Sequence, residues 1–420
     1  MTNLFTTESK QIPITKKMVR EAYRKVNSNK GSAGVDRESL EKFQENLLGN
    51  LYKIWNRMSS GSYFPQPVRE VVIPKAGGYE RKLGIPTISD RIAQEVVKTY
   101  LEPRVEAIFS KNSYGYRPNK GAHHALEQVR SNVRHYSWVV DMDIKAFFDE
   151  VNHELLLKAV DKHVSEKWVR MYIVRWLECP IQTSKGELIQ KKGEGTPQGG
   201  VISPLLSNLF LHYVLDKWLE KEYPQISFVR YADDVIVHCH SESQSLEVLN
   251  AIKNRLGQCK LRLSEAKTKI VYCQDYRRPK IKGCPKKFDF LGYTFKPRPK
   301  ASKTGRGMFL GFDCEISQKS QARIVQKWKD LKFHRQSDIT IQDVAEKLRL
   351  QTIGILRYYG YFNVASLRKL FRYLQNRLAK WVRNKYKSMG RSYAKAHRWL
   401  AEIKISYPTL FYHWQFFKSM

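Results

Sequence analysis

Two acidic sites in this chain stand where carboxylates are least expected. Asp143 closes the apolar run Trp138–Val140. Asp233 and Asp234 interrupt FVRYADDVIVHC (228–239), with Phe228, Val229 and Tyr231 before them and Val235, Ile236 and Val237 after. Both segments are rich in the β-branched and aromatic side chains of buried strands. They predict a short strand at 138–143 and two short strands around an acidic turn at 228–239. Unpaired carboxylates among strand core are costly, and adjacent like charges add to the cost unless cations compensate. An Asp-Asp pair also suits a plain turn, where the side chains hydrogen-bond their own backbone. The second acidic site at Asp143 weighs against that blander reading.

A cluster of carboxylates suits Mg²⁺, which prefers hard oxygen ligands. Two such ions roughly 4 Å apart can activate a 3′-hydroxyl and stabilise a leaving pyrophosphate in an in-line displacement. The chemistry predicted is nucleotidyl transfer, which needs no activated Ser or Cys, and the His residues show no H-E-x-x-H spacing. Charge points the same way. The 74 Lys and Arg against 40 Asp and Glu leave a formal +34. Such an excess costs self-repulsion in the folded state and is relieved by a polyanion, with counterion release driving association. No window approaches 18 uninterrupted apolar residues, and the first residues lack an apolar h-region, so neither a membrane span nor a secretory signal is expected. The cysteines, Cys179, Cys239, Cys259, Cys273, Cys284 and Cys314, contain no C-x-x-C pair. They read as reduced thiols of a cytosolic protein rather than as a zinc ribbon or a disulfide framework.

Along the chain, residues 15–29 place Val19, Ala22, Tyr23 and Val26 on one helical face. KGSAG at 30–34 breaks that helix, and Asp36 is the candidate cap of the next. VREVVIP (68–74) reads as a strand, Gly77-Gly78 as a hairpin turn into RKLGIP, and 90–110 as a helix. The strand at 138–143 leads into a helix carrying Phe147, Phe148 and Val151. KPRPKASKTGRG (296–307) reads as a linker or a hairpin, and the chain beyond Gln318 as basic helices, so a boundary is expected near 300–318.

These segments resemble the motifs of reverse transcriptases. FVRYADDVIVHC is similar to the Y-x-D-D motif and VDMDIKAFFDEVNHE to the first catalytic motif. GTPQGGVISPLLSNLFLHYVLD (195–216) resembles the Pro-Gln-Gly motif, and LRLSEAKTKIVY (261–272) and FDFLGYTF (288–295) the two that follow. IPKAGGYERKLGIPTISDRIAQ and NSYGYRPNKGAHHALE resemble the fingers motifs. Order and spacing are those of group II intron reverse transcriptases, also called maturases, from about residue 15 onward. The resemblance implies an α+β right-hand polymerase: an N-terminal helical extension (1–62), fingers and a palm with an antiparallel sheet (63–300), a linker or hairpin (301–317) and a helical thumb or maturase X domain (318–420). It implies that Asp143 and Asp233 are the principal ligands of two Mg²⁺ ions, for which Mn²⁺ can substitute, with Asp234 the third carboxylate. Phe148 becomes the steric gate against a 2′-hydroxyl, and Lys75 and Arg81 the triphosphate clamps. Gln198 lines the nucleotide pocket, where Pro197, Gly199 and Gly200 let backbone approach closely, and Lys267 is a candidate general acid for pyrophosphate. Ala232 stands where polymerases that copy RNA into RNA usually carry the Gly of Gly-Asp-Asp.

LRYYGYFN (356–363), RLAKWVRNKYK (377–387) and WLAEIKISYPTLFYHW (399–414) resemble the thumb of bacterial intron proteins, which makes Lys380, Arg383, Lys385 and Lys387 candidates for RNA contacts. The implied partners are structured intron RNA, an RNA template with a DNA or RNA primer, dNTPs and target DNA, without a membrane. The implied place is the bacterial cytoplasm, with nucleoid association. A member lacking the family's H-N-H endonuclease, with its Cys pairs, is expected. Two rival functions share the motifs: a related reverse transcriptase recruited to phage defence or another host role, and a non-catalytic RNA-binding splicing cofactor. The presence of all three carboxylates weighs against the latter.

Overall fold

In a computed structural model, which describes residues 12–74, 80–190, 192–302, 307–390 and 392–417, Thr15 caps the first helix. Its side chain accepts from the Met18 amide at 3.2 Å, and α1 (Lys16–Asn29) buries Val19, Ala22, Tyr23 and Val26, the stripe predicted by their spacing. Ser39, not Asp36, caps α2 (Leu40–Glu45): its hydroxyl accepts from the Lys42 amide at 3.3 Å. Asp36 instead accepts from the Glu38 amide in the preceding turn, because a cap must stand beside the first helical residue to reach the third amide.

The chain divides into two compact units, Met1–Ala125 with Val140–Lys269, and Leu126–Val139 with Ile270–Met420. In the first, α3 (Leu47–Ser59) precedes β1 (Val68–Pro74) and β2 (Glu80–Ile85), which pair antiparallel with Pro74 opposite Glu80. The Gly77-Gly78 turn between them lies outside the described residues. Next, α4 (Ile88–Glu106) starts two residues before the predicted segment, because Thr87 caps it by accepting from Asp90. α5 (Ala122–Asn132) runs into the stretch Leu126–Val139 that belongs to the second unit, and β3 (Trp138–Asp143), buried along Trp138–Val140, returns the chain to the first. The helix after it, α6 (Phe147–Glu150), is a single turn. Val151, predicted within it, is extended, and Asn152 opens α7 (His153–Asp161) by accepting from Leu155. Then follow α8 (Lys167–Leu177), β4 (Ile181–Gln182), β5 (Leu188–Ile189) and α9 (Ser203–Leu211). A π-helical turn at His212–Asp216 leads into α10 (Lys217–Glu222). The unit continues with β6 (Ser227–Tyr231), β7 (Asp234–Cys239) and α11 (Glu242–Gln258). One sheet has the order β2-β1-β4-β5; in another, β6, β7 and β3 are neighbours in that order.

In the second unit, β8 (Lys269–Tyr272) leads to β9 (Phe288–Phe290), β10 (Tyr293–Ala301) and β11 (Met308–Ile316), and the last three form a sheet of order β11-β10-β9. Of the two alternatives for 296–307, the structure shows the hairpin: Ala301 stands opposite Met308, and residues 303–306 lie outside the described residues. Phe288 and Phe295 stack at 4.9 Å within this sheet. The helices are α12 (Gln318–Asp330), α13 (Ile341–Asn363), α14 (Arg368–Lys385) and α15 (Tyr393–Ser406). A reciprocal Thr340–Asp343 capping box starts α13, and Trp328, Phe371 and Trp381 are completely buried between the helices. All six cysteines are free thiols. Among the described residues no helix is long and apolar enough to cross a membrane.

Candidate active site

The strand pair at 228–239 sets the first acidic position. Tyr231 pairs with Asp234, so Ala232 and Asp233 make the whole connection between β6 and β7. Two-residue connections favour positive φ because the flanking strands twist, and Ala232 takes it, at +56°. A Cβ makes that conformation costly, so the surroundings must hold it. Asp234 begins β7, Asp143 ends β3, and these strands are neighbours. Burial, and then the charges of Asp233, Asp143 and Asp141, push the Asp234 carboxyl up to about 7, while Lys267 pulls it down. The neighbouring like charges are the part of this shift that an incoming cation reverses.

Lys267 belongs to the same cluster. Its ammonium lies 2.7 Å from Asp143 Oδ2, and that hydrogen bond raises its own pKa above the ordinary lysine value. The segment carrying it is fastened to β3: the Ser264 amide donates to the Asp143 carbonyl at 2.8 Å, and Ile144 bridges Leu263. Lys269 pairs with Asp141 at 3.3 Å. Sequence and fold therefore bring Asp143, Asp233, Asp234 and Lys267 into one electrostatic neighbourhood. Among the described residues no three carboxylate, imidazole or thiol side chains converge into a ready-made metal cage. The donor set nonetheless fits a hard divalent ion, since the charges of Asp233 and Asp143 add to burial in raising Asp234 and a lysine ammonium already sits on Asp143.

The nucleotide-pocket candidates are tied to this cluster by backbone. Ala146, also left-handed at φ +43°, starts α6. Phe147 is buried with its ring 6.4 Å from Phe210, and Phe148 lies at the edge of burial, 9% exposed, 5.5 Å from the Phe147 ring. The Phe148 carbonyl accepts from the Thr196 amide at 2.6 Å, and the Gln198 carbonyl accepts from the Gly84 amide on β2 at 2.7 Å. Gly199 has φ +122°, and a Cβ there would stand 2.5 Å from the Gly84 carbonyl oxygen, so this approach requires glycine. Pro197 is buried and Gln198 half-buried. Both line a cleft of about 330 Å³ with Lys82, Gly84, Asp149 and Thr196. Lys75 lies outside the described residues; Arg81 stands opposite Ile73 in β2, and only its backbone is described.

Of the thumb candidates, Lys380 and Lys387 are exposed. Arg383 lies over the Tyr393 ring at 4.0 Å. Lys385 is engaged within the fold, its ammonium donating to the Ser337 and Ile339 carbonyls at 3.0 and 2.8 Å. Sequence reasoning missed the buried network of Arg230, Asp216 and Asn208 behind the acidic turn. The available signal was an arginine inside an apolar strand, which must find a partner.

Residues 73–295 match the family described as reverse transcriptase (RNA-dependent DNA polymerase), and residues 321–399 match the group II intron, maturase-specific domain. The chain is 32% identical over 295 residues to protein YkfC of Escherichia coli (strain K12), covering 61% of this chain and 77% of that one. It is 31% identical over 267 residues to group II intron-encoded protein LtrA of Lactococcus lactis subsp. cremoris, covering 63% of this chain and 42% of LtrA. With the putative COX1/OXI3 intron 1 protein of Saccharomyces cerevisiae it shares 26% identity over 349 residues, 69% of this chain and 40% of that protein. It thus spans less than half the length of the last two.

Proposed function

This chain belongs to the reverse transcriptase family, and on that premise we propose that its RNA-directed DNA polymerase activity rests on Asp143, Asp233 and Asp234, within a fold of the α+β right-hand class. The observation that carries the assignment is the meeting of Asp143, at the end of β3, with Asp233 and Asp234, where the neighbouring β7 begins and where the charges of Asp233 and Asp143 add to burial in pushing Asp234 up to about 7. Like charges this close call for a cation. We assign Mg²⁺, or Mn²⁺ in its place, to Asp143 and Asp233, with Asp234 contributing. When bound, such ions activate the primer 3′-hydroxyl and neutralise charge on the departing pyrophosphate.

The chain's own residues do the rest. The Ala232 turn presents Asp233. The Phe148 ring occupies the space a ribose 2′-hydroxyl would need. Pro197, Gln198 and Gly199 form the floor of the nucleotide site, and Lys75 and Arg81 hold the triphosphate. As the 3′-hydroxyl gives up its proton to solvent and its oxygen bonds to the α-phosphorus, the bond to pyrophosphate breaks and Lys267 donates a proton to the leaving group. Residues 1–62 serve as the helical extension, 63–300 as fingers and palm, 301–317 as part of the hairpin and 318–420 as thumb and maturase segment. The maturase-specific match at 321–399 supports binding of structured intron RNA to assist splicing and mobility. The further partners are an RNA template with its primer, dNTPs and target DNA, in the bacterial cytoplasm and beside the nucleoid.

The test is primer extension by Asp143→Ala and Asp233→Ala. Each is expected to lose roughly a thousandfold or more in rate with little loss of RNA affinity, because these groups hold cations rather than template phosphates. Activity within about tenfold of wild type in Mg²⁺ would sink the assignment.

A further inference from the structure

Behind the acidic turn lies a buried charge that the mechanism above does not use. Arg230 on β6 is completely buried, as is Asp216 at the end of the π-helical turn. The guanidinium forks onto the carboxylate, Nε to Oδ1 at 2.7 Å and Nη2 to Oδ2 at 2.5 Å. Its remaining nitrogen, Nη1, donates to the Asn208 carboxamide oxygen at 2.9 Å and to the Ala232 carbonyl at 3.1 Å. Asn208 in turn donates through Nδ2 to the Gly115 carbonyl at 2.7 Å. Gly115 lies against the turn so closely that a Cβ there would stand 2.5 Å from the Ala232 nitrogen. The same segment brackets Arg230, whose amide donates to the Asn112 carbonyl at 2.9 Å and whose carbonyl accepts from Tyr114 at 2.8 Å.

A buried ion pair is a weak source of stability, since desolvation offsets most of its attraction and an apolar pair of similar volume often serves the fold as well. What this pair does that an apolar pair cannot is aim a rigid, planar donor at a chosen carbonyl. That carbonyl belongs to Ala232, the left-handed residue directly before Asp233. We propose that Arg230, Asp216 and Asn208 are positioning residues, a network that locks Ala232 in its left-handed conformation and so sets Asp233 and Asp234 against Asp143. The proposal rests on Asp233 being the cation-holding carboxylate assigned above.

The experiment is the double variant Arg230→Met with Asp216→Leu, which removes both charges together and keeps apolar volume. Its expected behaviour is a melting temperature within a few degrees of wild type, unchanged primer–template affinity and little change in KM for dNTP. Against that background kcat falls by about thirtyfold, the scale on which small misplacements of catalytic groups act. Mn²⁺ binding to the nucleotide-free protein, followed by electron paramagnetic resonance, weakens in parallel. A normally melting double variant with wild-type kcat and Mn²⁺ affinity overturns the proposal. Should the double variant not fold, Asn208→Ala decides: it keeps the ion pair, removes the link to Gly115, and is expected to lower kcat by about threefold to tenfold with weaker Mn²⁺ binding; wild-type values for both overturn the proposal equally. Arg230→Lys can still pair with Asp216 but lacks the fork to reach Asn208 and Ala232 together, so it should keep stability without restoring kcat, and full kcat in this variant also counts against positioning. Retained synthesis by Asp233→Ala would instead remove the assignment underneath, which keeps the two failures distinct.

Discussion

At the scale of single residues, a ring can exclude a hydroxyl only if it cannot retreat. Phe148 has the buried Phe147 behind it, and Phe147 is backed in turn by Phe210. Phe148→Ala is therefore expected to open the sugar site and lower the ratio of kcat/KM for dNTP over rNTP by about a hundredfold. Phe147→Ala should instead cost about 3–5 kcal/mol of stability through the cavity it leaves. An unchanged ratio in Phe148→Ala would move the gate elsewhere, with Phe147 the first suspect. Gly199 is constrained differently. Any Cβ meets backbone rather than a flexible side chain, at a positive φ, so Gly199→Ala must part the loop from Gly84 or strain it. The expected result is a KM for dNTP raised by about tenfold with primer–template affinity intact; a normal KM would show that the loop does not bear on the nucleotide.

At the scale of elements, one carboxylate, Asp313, ties the hairpin of β10 and β11 to α5. Burial alone would push the Asp313 carboxyl up, but hydrogen bonds from Arg130 and Lys300 hold it down at about 2, against 3.8 for a free aspartate. Arg130 reaches it with Nε at 2.7 Å and Nη2 at 3.0 Å. A folded pKa below the unfolded one means stabilisation that is complete above the unfolded value and lost as pH falls through the folded one. The shift corresponds to about 2.5 kcal/mol at pH 7 and about half of that at pH 3. Asp313→Asn should therefore be clearly destabilised in urea unfolding at pH 7 and less so at pH 3; an equal loss at both values would assign the effect to packing. Sequence showed the elements wherever burial leaves a period, as in the stripe Val19, Ala22, Tyr23 and Val26 or the apolar runs flanking Asp143 and the Asp233–Asp234 pair. It did not show partners. An apolar strand holding Arg230 demands a counter-ion, but nothing local points to Asp216, on a π-helical turn that no periodicity marks. Asp36 was a reasonable cap by composition and lost to Ser39 on reach alone.

For the whole molecule, the excess of +34 favours a polyanionic partner without saying which cations would meet it. The basic run at 377–387 looked uniform in sequence, and the structure divides it by what each head group does. Lys385 serves the fold by donating to the Ser337 and Ile339 carbonyls, and Arg383 is spread over Tyr393. Lys380 and Lys387 are exposed, so they are the cations able to exchange water and counterions for phosphate. Structured RNA is read largely through shape and backbone, which suits charges carried on a rigid helical surface. Lys380→Gln with Lys387→Gln is expected to weaken binding of structured intron RNA. It should also flatten the plot of log affinity against log salt by about one unit for each phosphate left without its lysine, roughly two at most. Extension of a short, saturating primer–template should stay near wild type, because the carboxylate cluster belongs to the other compact unit. Lys385→Gln should show the reverse, a lower melting temperature with the salt slope retained. Titrating RNA affinity over a potassium chloride series for both variants separates the two kinds of lysine, and an unchanged slope in the double variant would mean that Lys380 and Lys387 stay solvated when RNA binds.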